Sequence, residues 1–521
     1  WRFYATGVCM CLVNLVMAWD ATAISIALPT IAAALHGSAI QSFWLGISFF
    51  AAATAFLPLF SAFSDIFGRK AMLLTGLAFF TIGSFIAAVG GNFNALHLGR
   101  SVQGIGAGGI FVLSDLIVSD LVSSLDKRRW TTILGTMWAI GAVTGPALGE
   151  ALAERNQWRW IFWLNLPFCI IAFLILPFFA QLKAATPGSI FVKLRAIDWV
   201  GFLLLSGSLV SMLLGISWGG TLHTWSNPNT LLPLQFGLIG IVVFCVWSWF
   251  SPFPSIISLD GFMDRTSLAT YFGTMIQGTI ICAFLYFMPF YFSVAKPELS
   301  HLPAGVRWFP WTLPLVIFIL ITFVVVSRWN TWLPSIWLGW VLVLLGVALT
   351  TIYARTSPTG TWVSIAIVLG SGVGILYPSL HTASELIAEQ EEEDNGKSRR
   401  AVTNYTFFQL LGKSFGVAIA TSVFENEFFK HLRSNPLFER FAKEYTTDAV
   451  ALVTRVRATT GGEGSPKTQI ADAYVDSLKT IWILMAVLAG LALVVSCFMM
   501  PKESRKKQDV EMKNLDEGYV V

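Results

Sequence analysis

The chain has 521 residues, of which 55% are hydrophobic and only 12% are charged, and its formal net charge is +4. An average soluble domain has about 25% charged residues, so this composition excludes a soluble globular protein and predicts one that crosses a membrane many times. The basic residues form no continuous stripe that would suit nucleic acid. The histidines are scattered, and the sequence contains no HExxH metalloprotease motif and no complete P-loop motif, so we expect no enzymatic activity, no metal site and no cofactor.

Long apolar runs predict about fourteen transmembrane helices. A bilayer core of about 30 Å needs some 20 apolar residues per helix. Backbone amides inside lipid must be paired within their own segment or with other protein, so these runs predict an all-α integral membrane protein. The runs lie near residues 4–28, 41–63, 71–90, 95–121, 131–153, 158–180, 197–217, 231–250, 267–294, 304–326, 333–353, 361–384, 401–424 and 478–500.

The basic residues of the short loops predict the orientation of these helices. The loops on one side hold most of them, and the opposite loops hold little beyond Arg155, Lys296 and Arg355. The positive-inside rule therefore predicts that both termini are cytoplasmic. We expect the plasma membrane and keep the vacuolar membrane as an alternative. The basic set consists of Arg69, Lys70, Lys127, Arg128, Arg129, Lys183, Lys193, Arg195, Arg265, Arg328, Lys397, Arg399 and Arg400.

The spacing of the runs predicts two six-helix bundles with two additional helices between them. The N-terminal bundle is expected at residues 1–181, and a linker with the two central helices at 182–265. The C-terminal bundle is expected at 266–500, with a long extracytoplasmic loop near 427–476, and a cytoplasmic tail at 501–521. Two six-helix halves are the architecture of transporters that rock around a site near the middle of the membrane.

The first and fourth spans each contain a charge inside the membrane, Asp20 and Arg100. Such a charge costs about 2.5–3.5 kcal/mol on insertion scales. Counted at 1.5 Å per residue, the depths of the two residues agree within about 5 Å, so they could pair. We hypothesise that Asp20 exchanges protons, with Arg100 keeping it ionised when near and releasing it to a proton when the halves separate. A purely structural pair is the alternative.

The loop between the second and third spans contains Asp65, Gly68, Arg69 and Lys70. Asp65 lies near a helix end with Arg69 one turn away, so the two are expected to form a charge cluster with neighbouring helix ends. The alternative is that these charges only set the topology. Asp120, at the end of the fourth span, is expected to pair with Lys127 or Arg128.

Three glycines and a proline interrupt the fifth span, at Gly141, Gly145, Pro146 and Gly149. Each Gly costs a helix interior about 1 kcal/mol and a Pro about 3 kcal/mol. Glycines at this spacing predict a close-packed helix seam. We expect this seam near the outer end, where it would seal the cavity between the two halves. Glu150, which follows, is expected to receive protons, attract cations or simply be solvated.

Polar and aromatic residues of the C-terminal half are candidates for a substrate cavity. Gln277, Tyr286 and Tyr291 lie in the ninth span, and Gln409 and Lys413 in the thirteenth. Ligand cavities combine apolar walls with a few polar groups, and Lys413 would favour an acidic substrate. Helix packing for the aromatics and snorkelling of Lys413 to neighbouring carbonyls are the alternatives.

Several motifs resemble those of the major facilitator superfamily. The segment Ser61–Lys70 resembles its loop signature, with Ser61 in place of Gly and Ile66 in place of Arg. The segments Asp20–Pro29, Leu98–Gly104, Gly141–Gly149 and Trp158–Pro167 resemble motifs of its fourteen-span drug:proton antiporters, especially fungal efflux pumps for drugs and secondary metabolites. Departures are Glu150 where the family has a second Gly, Gln409 where it has Arg, and Lys413 where it has Gln.

The resemblance implies a major facilitator fold and proton-coupled efflux of small, largely apolar compounds such as drugs, toxins or secondary metabolites. It implies small-molecule substrates, protons and the lipid bilayer as partners, a monomer, and the proton gradient rather than a cofactor as the energy source. The alternatives are an importer or exchanger of the same fold for siderophores or basic amino acids, and a membrane sensor that does not transport.

Overall fold

A computed structural model describes residues 2–121, 124–180, 182, 189–195, 197–220, 222–253, 255–257, 262, 264–296, 304–329, 331–390, 395–459, 462 and 464–500. The tail expected at 501–521 lies outside this range. The helices are α1 (Arg2–Leu35), α2 (Ala39–Phe67), α3 (Arg69–Val89), α4 (Phe93–Leu121), α5 (Ser124–Glu154), α6 (Trp160–Trp163), α7 (Asn165–Phe179), α8 (Ile190–Arg195), α9 (Trp199–Trp218), α10 (Pro228–Phe250), α11 (Arg265–Phe290), α12 (Ala304–Trp329), α13 (Trp332–Thr350), α14 (Thr359–Gln390), α15 (Asn395–Ser434), α16 (Ala442–Thr447), α17 (Ala449–Ala458) and α18 (Pro466–Ser496).

Fourteen helical spans in the described part of the chain are long and apolar enough to cross a membrane. The prediction of about fourteen spans and of an all-α protein is therefore confirmed. The sixth span consists of α6 and α7, which meet at Leu164. The ninth continues from α11 into a π-helical turn at Tyr291–Ala295.

The spans group as the spacing of the runs predicts. Helices α1–α7 pack together as the N-terminal half, and α11–α15 with α18 form the C-terminal half. Helices α9 and α10 pack against each other, and α9 also contacts α2 and α15. The most apolar stretch of α10 is only 17% buried, as expected for a helix that faces lipid at the edge of the bundle.

Local sequence fixes where several spans begin and turn. Ser38 caps α2 through a reciprocal capping box with Gln41, and Asp198 and Asp264 accept backbone N–H groups at the starts of α9 and α11. Gly68 joins α2 to α3 with φ 87° and ψ 148°, a conformation that is essentially restricted to glycine. A side chain at position 68 would strain this turn.

The two ends of the bundle differ in charge. We call the end whose loops carry Arg69, Lys70, Arg129 and Arg328 the basic end, and the other the opposite end. At the opposite end, α15 continues to Ser434 and α18 begins at Pro466, so their connection is shorter than the expected loop near 427–476. Its short helix α17 packs against α1 and α2 of the other half.

Candidate functional site

The carboxylate of Asp20 lies in a buried hydrogen-bond network of the N-terminal half. Its Oδ2 accepts from Arg100 Nη1, and its Oδ1 accepts from Gln103 Nε2 at 2.8 Å. Asn165 Nδ2 donates to the same Oδ1 at 2.8 Å. Asp20 and Arg100 are both 0% exposed. These three groups donate N–H bonds, so the site fits an ionised carboxylate, which can only accept.

Arg100 is held by further contacts. Its Nε donates to the Leu45 carbonyl at 3.0 Å, and its Nη1 donates to Gln103 Oε1 at 2.7 Å. Its guanidinium carbon lies 4.2 Å from the centre of the Phe49 ring, a favourable cation–π contact. The pair that the depth argument suggested therefore exists, and it connects α1, α2 and α4.

Three members of this network were not among the predicted site residues: Ser84, Gln103 and Asn165. Gln103 and Asn165 also donate to Ser84 Oγ, at 2.8 and 3.2 Å, which adds α3 and α7 to the network. A polar amide inside an apolar run was the signal for Gln103 and Asn165. Ser84 gave none, because serines in apolar helices commonly bond back to their own backbone, as Ser84 also does to Phe80.

The loop residues form an ion-pair cluster at the basic end. Arg69 is fully buried, and its Nε donates to Asp120 Oδ2 at 2.8 Å, while its Nη1 lies 3.1 Å from Asp65 Oδ1 and also bonds Ser64. Arg69 is a partner of Asp120 that the sequence did not predict, and the two meet because the end of α4 lies beside the start of α3. The side chains of Lys127 and Arg128 lie outside the described residues.

Lys70 caps a neighbouring helix. Its ammonium donates to the carbonyl of Pro177 near the end of α7. The last carbonyls of a helix have no partner within it, and a cation there also complements the helix dipole. The loop signature thus joins the second, third, fourth and sixth spans at one end of the N-terminal half.

The glycines of α5 pack against α1. A Cβ on Gly141 would lie 2.4 Å from Ala18 Cβ, one on Gly145 2.0 Å from Thr22 Oγ1, and one on Gly149 2.3 Å from the Ala23 carbonyl oxygen. The close-packed seam predicted in the fifth span therefore lies between α5 and α1, and its expected role in sealing the cavity between the halves stays a prediction. Both helices belong to the N-terminal half. Helix α5 approaches α1 through its glycines and also contacts α12 of the C-terminal half.

Ion pairs at the opposite end do connect the halves. Glu150 Oε1 lies 3.7 Å from Arg307 Nη2, and both side chains are largely buried. Glu154 Oε1 lies 3.7 Å from Arg457 Nη2 in a more exposed pair. Glu150 is thus neither free nor simply solvated. Sequence reasoning missed Arg307 and Arg457 because nothing local links them to the end of α5.

A cavity lies between the halves at the basic end. Its empty volume is about 810 Å³, including space at its open mouth. The residues that line the cavity lie in the part of each helix that is nearer the basic end. This wide cavity is lined by Asn14, Phe111, Ser114, Asp115, Thr131, Thr132, Leu134, Gly135, Trp138, Ile319, Phe323, Tyr377, Pro378, His381, Thr382, Glu385, Tyr405, Thr406, Gln409 and Lys413.

A second, apolar cavity continues from it toward the opposite end. The two share Gly135, Trp138, Ile319, Tyr377, Gln409 and Lys413. The apolar cavity adds Thr22, Ala139, Ala142, Ile281, Leu285, Trp311, Leu315 and Val373. An amphipathic molecule could therefore enter at the basic end and place its apolar part near the middle of the bundle.

The predicted cavity residues divide into two groups. Gln409 and Lys413 line both cavities, whereas Gln277, Tyr286 and Tyr291 are not among the residues lining either one. Tyr291 donates to the Ala354 carbonyl at 3.1 Å, and Tyr286 packs against Gly46, where a Cβ would lie 2.3 Å from its hydroxyl. Gln277 is buried. The aromatics of the ninth span thus pack helices together.

Comparison with known proteins agrees with this architecture. The family model of the Major Facilitator Superfamily matches residues 10–421. The MFS transporter L2 of a Phoma species is 38% identical over 500 residues, covering 96% of this chain and 82% of its own. The efflux pump FUS6 of Gibberella moniliformis is 31% identical over 519 residues, covering 98% of this chain and 90% of its own.

Among solved structures, a bacterial homologue of the human lysosomal transporter Spinster in an inward-facing, unoccupied conformation is similar. The TM-score is 0.59 at 14% sequence identity, with 96% of this chain and 97% of the other covered. At this identity the likeness concerns the fold alone.

Proposed function

The chain belongs to the major facilitator superfamily and is a multi-pass membrane transporter rather than an enzyme, and we propose that it exports small, largely apolar organic compounds in exchange for protons. The observation that carries the proposal is the Asp20 network. A carboxylate buried inside a transporter half, on a helix that also lines the cavity, suits a group whose protonation changes during transport.

The two faces of α1 connect the network to the cavity. Thr22 lines the apolar cavity and lies two residues from Asp20, about 200° around the helix. A compound in the cavity therefore contacts one face of α1 while Asp20 occupies the other. We infer that substrate and proton influence each other through the position of α1, since Asp20 is buried away from the cavity.

The direction of export is supported by the access to the cavity. The wide cavity lies at the basic end, which we take as cytoplasmic, and the Glu150–Arg307 pair joins the halves at the other end. In this conformation the protein is arranged to receive a compound from the cytoplasm. Opening of the Glu150–Arg307 pair would expose the same cavity to the outside.

The remaining parts of the proposal concern location and assembly. We propose that both termini lie in the cytoplasm, that the protein works as a monomer in the plasma membrane, and that the proton gradient is its energy source with no cofactor. The basic residues of the short loops at the basic end support cytoplasmic termini.

Transport into everted vesicles tests the function. Vesicles with the cytoplasmic face outward and an acidic interior are offered a panel of lipophilic fluorescent compounds that are neutral, cationic or anionic. We expect at least one compound to accumulate, and a protonophore to abolish that accumulation. If no compound accumulates above the level found in vesicles without the protein, export is contradicted. Gradient-driven movement of a compound in the reverse direction would indicate an importer.

A further inference from the structure

The ammonium of Lys413 is buried beside two aromatic rings. Lys413 is 3% exposed and lines both cavities. Its Nζ lies 4.3 Å from the centre of the Trp138 ring and 5.5 Å from that of Phe111. Among the residues that the structure describes, no carboxylate or carbonyl accepts a hydrogen bond from it. A buried ammonium is costly unless it is paired, so this position calls for an acceptor from outside the chain.

The two carboxylates that line the wide cavity have neighbours other than Lys413. Asp115 Oδ2 accepts from Thr406 Oγ1 at 3.0 Å, and Glu385 lies 3.7 Å from His381. Thr406 and Lys413 are seven residues apart on α15, which corresponds to about 10 Å along the helix axis. The acidic groups therefore lie nearer the basic end, and Lys413 lies deeper, where the apolar cavity begins.

Two further donors line the apolar cavity. The indole nitrogens of Trp138 and Trp311 are buried and have no hydrogen-bond acceptor in the described part of the chain. Indole N–H groups donate only. Together with Lys413 they give this region an excess of N–H donors over acceptors, which favours a ligand that carries acceptor oxygens.

We propose that Lys413 binds the carboxylate of an amphipathic organic acid whose apolar body fills the apolar cavity. The carboxylate would receive a charge-assisted hydrogen bond from Lys413, and its second oxygen can accept from an indole N–H. The body would contact Leu285, Leu315 and Val373, which supply no polar groups. This inference rests on the proposal that the cavity receives the exported compound, and it names the class of that compound.

Equilibrium binding tests the inference with three probes that share one apolar body. The probes are 4-(1-pyrenyl)butyrate, its primary amide, and 4-(1-pyrenyl)butylamine, measured with the full chain in neutral-lipid nanodiscs at pH 7. We expect the acid to bind at least tenfold more tightly than the amide, and the amine to bind most weakly. Equal affinities, or a preference for the amine, would overturn the proposal.

Variants locate the preference at Lys413. Lys413→Gln should lose the preference for the acid and keep its affinity for the amide. Lys413→Arg should retain most of the preference for the acid. Lys430→Gln makes the same change at an exposed position of the same helix and should bind all three probes as wild type does. An unchanged preference in Lys413→Gln would overturn the proposal.

A second variant keeps the test valid if Lys413→Gln does not fold. Trp311→Phe keeps an aromatic ring and removes one indole donor, and we expect about threefold weaker binding of the acid and no change for the amine, which has no acceptor oxygen. An unchanged affinity for the acid, or an equal loss for the acid and the amine, would contradict an indole contact with the carboxylate. Binding is measured without a gradient, so this inference and the proposed proton coupling can fail separately. If proton-driven transport fails while the preference for the acid remains, the proton coupling is overturned and the binding of an organic acid at Lys413 stands.

Discussion

Glu150 on α5 and Arg307 on α12 face each other across the boundary between the halves, with 3.7 Å between Oε1 and Nη2. They lie at the end of the bundle away from the wide cavity. The pair therefore marks the place where the halves must separate if the cavity is to open on the other side of the membrane.

Removing this pair should favour the conformation that is open at the opposite end. Glu150→Gln leaves Arg307 with a weaker partner, and we expect the equilibrium to shift by about 1–2 kcal/mol, or roughly 5- to 30-fold. The measurement is the labelling rate of Ala142→Cys, which lines the apolar cavity, by a membrane-impermeant maleimide added to intact cells.

The matched control for this experiment is Glu154→Gln. The Glu154–Arg457 pair has the same separation of 3.7 Å but is 51% and 36% exposed, so its loss should change labelling less than threefold. Equal labelling rates in Glu150→Gln and wild type would show that the pair does not hold the opposite end closed.

The seam between α5 and α1 should tolerate no side chain. A Cβ at Gly149 would lie 2.3 Å from the Ala23 carbonyl oxygen, and the backbone can move only as a whole helix. We expect Gly149→Ala to destabilise the protein by about 1–3 kcal/mol. The change would appear as a lower melting temperature of the purified protein in detergent.

Gly207→Ala on α9 provides the comparison for this variant. A Cβ there would meet nothing within 4 Å, so the melting temperature should stay the same or rise slightly, as a helix favours Ala over Gly. Equal melting temperatures for the two variants would refute close approach of α5 and α1.

Asp120 should matter more than Asp65 for the ion-pair cluster at the basic end. Asp120 is 23% exposed and lies 2.8 Å from Arg69 Nε, whereas Asp65 is 41% exposed and lies 3.1 Å from Nη1. A more buried ion pair is costlier to break. We therefore expect Asp120→Asn to lower the melting temperature more than Asp65→Asn, and the reverse order would contradict the assignment of Asp120 as the main partner of Arg69.

Sequence reasoning predicts those parts of this protein that depend on local pattern or on depth in the membrane. Run lengths give the spans, and counting residues along two spans brings Asp20 and Arg100 to one depth. The partners of Asp120 and Glu150 could not be predicted in this way. Arg69 and Arg307 lie 51 and 157 residues from them in the chain, so their contacts depend on how the helices pack.

The same reason explains the outcome for the cavity residues. Aromatic and polar side chains occur on helix faces that line a cavity and on faces that pack, and the apolar composition of a membrane helix hides the difference. Lys413 and Tyr286 looked alike as candidates, yet one lines both cavities and the other packs against Gly46. Which face of a helix lines a cavity and which face packs depends on the arrangement of the neighbouring helices.

The proton flux that accompanies uptake tests the central proposal most directly. In everted vesicles, a pH electrode records proton movement while the best compound of the panel is taken up by wild type and by Asp20→Asn. We predict that uptake by wild type is accompanied by coupled proton movement. In Asp20→Asn this proton movement should fall at least tenfold, while the compound still exchanges across the membrane. Normal proton-to-compound stoichiometry in Asp20→Asn would contradict the role of Asp20 in coupling.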